Sequence, residues 1–327
     1  MLALVQDVYG TSEVLRLAEV DRPEPAADEV LVRIAAASVN AADWHIMRGE
    51  PTVARLMDRK IFARKSPREP IRGRDFAGTI EAVGSGVVGW QVGDEVLGED
   101  EATFAEYAVV PQACLARKPE GLSFQDAAAL PLAATTADLC LTAGAVRPGH
   151  RVLVVGASGG VGTFAVQLAV ARGATVDGVC STRNADLVAS LGAAKVFDYT
   201  LEDFTRAGER YDVVLDLVGN RGLRDLRRVV APGGTLVLSG GGNPGDGRLL
   251  GPVGLMARGG LFGRLLGLRV QIPMAQPDGK RLAELVDMVS RGELRPVIDR
   301  AYPFAEAAEA IRHLEVEHAR GKIVVTV

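Results

Sequence analysis

Apolar positions in the first third of the chain come in short, closely spaced runs with turn residues between them. LALVQDV (2–8), EVLVRIAAASV (29–39), FAGTIEAVG (76–84), DEVLG (94–98) and FAEYAVV (104–110) are punctuated by Pro23, Pro25, Gly84, Gly86, Gly89 and Gly93. Such spacing predicts an all-β, barrel-like unit from Met1 to about Pro119, with one helix following Asn40. After Gly149 the rhythm changes. RVLVV, TVDGVC, KVFDY, DVVLDLV, GTLVLSG and RVQI alternate with helix-length stretches at 161–172, 185–191, 223–230 and 280–291. Strand runs that are apolar throughout and separated by helices predict a parallel sheet covered on both faces, a doubly wound domain. The segment from Glu293 onward holds VIDRAYPF, a helix predicted from Ala305 to about Glu317 and a final strand KIVVTV, and is expected to return to the first unit. The predicted domains are therefore 1–119 with 293–327, and 120–292.

Composition narrows what such a chain does. Of 327 residues, 48% are apolar and 24% charged, the mixture of a folded protein. The net charge of −4, with Lys and Arg scattered, offers no face for nucleic acid. Cys114, Cys140 and Cys180 lie too far apart for a zinc or redox pair, which fits a reducing, cytoplasmic setting. The beginning MLALVQDVYG lacks the basic and apolar regions of a signal peptide, and the most lipid-like stretch, 249–268, is broken by Arg258, Arg264 and several glycines. No membrane span is expected.

The break in RVLVVGASGGVGTFAVQLA carries the chemistry. Ala157, Gly159 and Gly162 form A-x-G-x-x-G between a strand and a helix, with Gly156 and Gly160 adding freedom. Small residues let the backbone approach a pyrophosphate, and the helix N-terminus supplies N–H groups and a favourable dipole. A glycine turn alone is weak evidence, but this one heads a repeated β-α pattern. An NAD site would place an acidic residue at the end of the second strand. Here TVDGVC runs into Ser181-Thr182-Arg183-Asn184, whose hydroxyls and guanidinium suit a 2′-phosphate, so NADPH is the expected cofactor.

GASGGVGTFAVQLA, VCSTRNADLVASLGAAKVFDYT, VGDEV and HARGKIVVTV together resemble the zinc-independent quinone oxidoreductases of the medium-chain dehydrogenase/reductase superfamily. Within that group the chain is most similar to the mitochondrial reticulon-interacting oxidoreductases and the chloroplast alkenal and quinone reductases. The resemblance implies a GroES-like β-barrel domain, a Rossmann domain, and a homodimer. It also implies hydride transfer from NADPH to a quinone or an α,β-unsaturated carbonyl. Two other readings stay open: an enoyl-thioester reductase, which usually has a tyrosine donor that RGEPTVARL lacks, and an NADPH-binding interaction or sensor protein with little turnover. The catalytic zinc ligands of the alcohol dehydrogenases fall on Asn40, Arg74 and near Leu132, none of which supplies what zinc requires, so no metal is expected.

By the same resemblance Ser158, Gly159, Gly160, Val161 and Gly162 meet the pyrophosphate, and Ser181, Arg183 and Tyr199 the 2′-phosphate. Tyr199 reads equally as a strand-end aromatic packed on the sheet. Leu217 lies near the adenosine ribose, His318, Ala319 and Arg320 near the far side of the cofactor, and Thr136 under the nicotinamide. Asn40 would donate to the substrate carbonyl, and Asp43 either joins it or caps the helix that follows. Arg74 and Asp75 would form a structural pair. His45 and His150 read as structural, the α-carbon proton as coming from water, and segment 240–267 as a dimer contact, a surface helix or an apolar lid.

Overall fold

One long strand carries the first unit of the computed structural model, which comprises residues 1–135 and 276–327; the second unit is 136–275. The structure describes residues 1–53, 55, 59, 61–240, 251–263, 266–317 and 319–327. In the first unit β1 (Leu2–Gln6) and β2 (Leu15–Glu19) form an antiparallel pair, followed by β3 (Glu29–Val39), α1 (Ala41–Arg48), β4 (Asp75–Val83), β5 (Glu95–Glu99), β6 (Tyr107–Pro111), β7 (Leu115–Arg117) and α2 (Phe124–Ala128). Next comes α3 (Pro131–Ala143). The second unit contributes β8 (Arg151–Val155), α4 (Gly160–Ala171), β9 (Thr175–Cys180), α5 (Ala185–Ser190), β10 (Lys195–Asp198), β11 (Tyr211–Asp216), α6 (Leu223–Val229), β12 (Val230–Leu238), α7 (Gly251–Phe262) and β13 (Arg269–Gln271). The chain then returns to the first unit with α8 (Gly279–Ser290), β14 (Ile298–Pro303), α9 (Ala307–Glu317) and β15 (Lys322–Thr326).

β3 is almost wholly buried because it is paired on both edges: its first half with β6, its second half with β15, and most of its length with β4. Register shifts at Leu31/Val32 and Ile34/Ala36 mark bulges, which bend a strand. Gly78 of β4 passes this bend so closely that a Cβ there would lie 2.2 Å from the Arg33 carbonyl oxygen. Val32, Ile34, Trp44, Met47, Phe76, Ile311 and Ile323 fill the core beneath.

The second unit is a six-stranded parallel sheet in the order β10-β9-β8-β11-β12-β13. Strand order therefore reverses between β8 and β11, the place where doubly wound sheets open a crevice for ligands. Residues Gly162 to Ala169 of α4 are all buried, so this helix is a core element without a polar face.

The predicted strands and helices recur in these elements, and the expected two-part α/β architecture is present. The division between units differs from the one read off the sequence. Residues 120–135 and 276–292 group with the first unit. α2 packs on β3 and β4, and α8 packs on β7, where a Cβ on Gly279 would sit 2.4 Å from the Leu115 carbonyl oxygen. Helical periodicity reports that a face is buried, but not against which sheet. Of the glycine-rich segment 240–267, residues 251–262 form α7, and 241–250, where much of the expected lid falls, lie outside the described residues.

Candidate functional site

The glycine loop leaves β8 at the strand-order reversal. Gly156 holds φ at +86°, and a Cβ on Gly162 would lie 2.0 Å from the Gly156 carbonyl oxygen, so only glycine lets α4 start this close to its strand. The helix is N-capped by Gly159, with no side chain accepting from its opening N–H groups. Its opening N–H groups, at Gly160, Val161 and Gly162, have no partner within the helix and face the end where an anion is favoured. Ser181 is half-buried at the end of β9, and Arg183 is exposed on the single turn Thr182–Asn184. Tyr199 is 52% exposed just past β10. Leu217 follows β11, its N–H donating to the Val155 carbonyl at 3.2 Å. The turn holding Leu217 is fixed by buried Asp216, whose Oδ1 accepts from the N–H groups of Val218 (3.1 Å) and Gly219 (2.8 Å). Parallel strands end on one edge of a sheet, so these expected cofactor residues share that edge.

Asn184 is a member of this group that the sequence reading passed over. Its Nδ2 donates to Ser158 Oγ at 3.0 Å and to Ser181 Oγ at 3.4 Å, tying the glycine loop to the end of β9 from a buried position. An amide directly after the Ser-Thr-Arg run was the available signal.

A second constellation occupies the first unit, where the start of α1, β4, β5, β15 and the start of α3 meet. Asp75 is fully buried and accepts at both oxygens: Oδ2 from Ser38 Oγ (2.9 Å), Asn40 Nδ2 (2.9 Å) and Lys322 Nζ (3.1 Å), Oδ1 from the Leu132 N–H (3.0 Å). Lys322 Nζ also donates to Asn40 Oδ1. Arg74 donates to Glu99 Oε1 from Nε (3.0 Å) and Nη2 (2.9 Å), so the expected Arg74–Asp75 pair is replaced by two others, Arg74–Glu99 and Lys322–Asp75. Burial pushes the Glu99 carboxyl up to about 7, helped by Asp75 opposite it on β4 and opposed by Arg74.

Asn40 and Asp43 both act at the start of α1, with Asp43 in the capping role. The Asn40 N–H donates to Asp43 Oδ2 at 2.7 Å, and the Asp43 N–H donates back to the Asn40 carbonyl at 3.0 Å, which fastens the first turn of α1. The Asn40 side chain is instead drawn into the Asp75 network, its amide donating to Asp75 and the Ser38 carbonyl and accepting from Lys322. An amide occupied at both ends has no spare donor for a substrate carbonyl, so that expected role gives way to an organising one. Asp43 is buried, and burial pushes its carboxyl up to about 6, with Asp75 adding to the shift and the Asn40 N–H, Arg74 and Lys322 opposing it.

Thr136 sits half-buried on α3, whose start is held by Asp75 through the Leu132 N–H. Ala319 is buried, the Arg320 N–H donates to Asp299 Oδ2 at 2.9 Å, and His318 lies outside the described residues. His45 stacks on Trp44 and meets the Glu50 carbonyl, and His150 contacts Arg147, both local arrangements. The set at 40, 74 and 132 does not fit a divalent cation: the amide and guanidinium are engaged with Asp75, Lys322 and Glu99, and the third side chain is leucine.

Residues 26–120 match the alcohol dehydrogenase GroES-like domain family and residues 191–325 the zinc-binding dehydrogenase family. Over all of its length the chain is 35% identical to a mitochondrial NAD(P)H oxidoreductase of Mus musculus, covering 89% of that protein. It is 32% identical, over 99% of its length and 79% of the relative's, to a chloroplastic NADPH-dependent alkenal/one oxidoreductase of Arabidopsis thaliana. Among solved structures, the quinone oxidoreductase of Coxiella burnetii matches with a TM-score of 0.87 at 31% identity, over 100% of this chain and 99% of that one.

Proposed function

The chain belongs to the medium-chain dehydrogenase/reductase superfamily, and we propose that it is an NADPH-dependent oxidoreductase passing hydride to a quinone or to a carbon–carbon double bond conjugated with a carbonyl. The observation that carries this reading is the glycine loop at the strand-order reversal, its helix N-terminus without a side-chain cap and an exposed arginine standing where an NAD site keeps a carboxylate. Relatives named as quinone and alkenal/one oxidoreductases support the acceptor class.

The residues divide the work. Backbone N–H groups at Gly160 to Gly162 would hold the pyrophosphate, and Ser181, Arg183 and the exposed Tyr199 hydroxyl the 2′-phosphate, with Ser158 kept in place by Asn184. Bound there, the cofactor supplies a hydride. The acceptor is activated by its own conjugation, so no Lewis acid is needed. In place of a metal the first unit offers a neutralised network in which Lys322 balances Asp75 and Arg74 balances Glu99. A homodimer and a cytoplasmic setting are parts of the same proposal, the latter resting on three free thiols. Among the described residues no helix is long and apolar enough to cross a membrane.

The test mixes purified protein with NADPH or NADH and a panel of quinones, enones and enoyl thioesters, and follows the nicotinamide absorbance. NADPH should be consumed with quinones or enones. Arg183→Gln should weaken NADPH roughly tenfold, the worth of one hydrogen bond to a charged group, and leave NADH untouched. Tight NADPH binding with every acceptor left unreduced would overturn the enzymatic reading.

A further inference from the structure

Adding hydride to a conjugated double bond leaves an enolate, and the reaction ends only when a proton reaches the α-carbon. We propose that the carboxyl of Asp43 is the donor of that proton, acting from a small cavity within the first unit that seats the carbonyl oxygen of the acceptor. This rests on the enone-reductase reading above.

The cavity is lined by Asp43, Ile46, Ile61, Ile71, Arg72 and Ala102, among others, and has a free volume of about 20 Å³. That is room for one water-sized group, hence for a carbonyl oxygen but not for a ring. Two polar groups meet this space with capacity unspent. Arg72 is 4% exposed, its Nη2 donates to the Glu69 carbonyl, and its Nε has no hydrogen-bond partner among the described residues. A buried N–H left unbonded costs about 1–3 kcal/mol, which an arriving oxygen relieves. Asp43 spends Oδ2 on the Asn40 N–H, and its Oδ1 makes no hydrogen bond among the described residues. Ala102 completes the wall at φ +62°, a left-handed conformation that a residue with a side chain adopts at some cost. The three isoleucines and Pro67 supply the apolar part of the wall, and Glu69, Arg74 and Glu101 complete its polar part.

The charges around Asp43 are mixed. Asp75, Arg74 and Lys322 act on it directly, and Arg72, with Glu69 and Glu101 beside it, borders the same cavity. Burial dominates, holding the carboxyl neutral up to about pH 6, so a measurable acid fraction persists near neutrality.

The step balances as follows. Hydride adds to the β-carbon and the π electrons move onto the carbonyl oxygen, where the Arg72 N–H meets the growing charge. The O–H bond of Asp43 breaks, and the enolate electron pair takes that proton to form the α C–H bond. Asp43 is left as a carboxylate and regains a proton from solvent. The nicotinamide is oxidised and the acceptor reduced, with one solvent proton consumed.

Asp43→Asn tests this while keeping an oxygen for the Asn40 N–H. NADPH oxidation is followed with but-3-en-2-one and with 1,4-benzoquinone, whose reduced oxygens take protons from water unaided. The ratio of enone to quinone turnover should fall at least ~100-fold in the variant, within the range for losing a general acid. In the unaltered protein kcat/KM for the enone should decline about tenfold per pH unit above about 6, with a solvent deuterium isotope effect. Both signatures should vanish in the variant. Independently of turnover, the protonated-carboxyl infrared signal at pH 5 should contain a component that titrates near 6 and is missing from the variant, while the Glu99 component near 7 stays in both. An unchanged ratio with the pH limb intact would overturn the proposal, as would an equal loss with both acceptors. Were the unaltered protein to reduce the quinone but not the enone, this inference would fall and the oxidoreductase reading stand; were it to reduce neither, both would fall.

Discussion

Lys322 brings a full positive charge to a place where its side chain is 2% exposed, with Asp75 wholly buried beside it. A buried pair of this kind adds little over a well-packed apolar pair, but losing one partner strands the other, at about 3–5 kcal/mol. Lys322→Met should therefore lower the melting temperature by many degrees, and adding Asp75→Asn to it should recover part of the loss; thermal denaturation of the two variants checks this. Asp43 makes the opposite case. Its carboxyl rises from 3.8 in the unfolded chain to about 6 in the fold, so the neutral acid is the form the fold favours. The contribution is fully present below the unfolded value and is lost as pH rises through about 6, amounting to about 3 kcal/mol. Asp43→Asn has no such loss. Its melting temperature relative to the parent should climb between pH 4 and pH 7, measured by calorimetry. The partnerships of Lys322 were not legible in the sequence. Lys322 was visible within HARGK, but its partners stand 247 and 282 positions away, beyond anything local spacing conveys.

Among the elements, the turn from β8 into α4 divides its glycines by what surrounds them. A Cβ on Gly162 would strike the Gly156 carbonyl oxygen at 2.0 Å, whereas one on Gly159 finds nothing nearer than 3.5 Å. Gly162→Ala should force the helix off its strand, lowering both the melting temperature and NADPH affinity, the latter by at least ~100-fold if the pyrophosphate contacts are lost together. Gly159→Ala should leave stability within about 0.5 kcal/mol, as a substitution without a clash does. Equilibrium titration with NADPH and a denaturation curve for each variant decide the matter. This element was the most legible part of the chain, because strand, glycines and helix are contiguous and the constraint on each is local. α2 and α8 were harder: Ser123 and Asp278 cap them in recognisable ways, yet only three-dimensional packing places them on the first unit.

At the scale of the whole molecule, the two-part α/β plan followed from the change in apolar rhythm near Gly149, and the family comparison agrees with it. The first unit's chemistry followed less well, because its charged side chains balance one another across four separate stretches of chain. That balance carries a prediction about metals. With Asp75 neutralised by Lys322 and Glu99 by Arg74, prolonged dialysis against a chelator should leave NADPH oxidation unchanged, and added zinc should not raise it. Turnover before and after dialysis, with metal content read by elemental analysis, checks this.

The double partnership of β3 also orders events in time. Its second half gains one of its two neighbours only from β15, which the ribosome makes after the entire second unit. The nucleotide-binding sheet is thus complete in sequence while the other sheet still lacks β14, β15 and the ammonium that answers Asp75. During synthesis, then, the cofactor domain is the part able to fold first, and a pause or truncation before Lys322 would strand a buried carboxylate next to an open sheet edge.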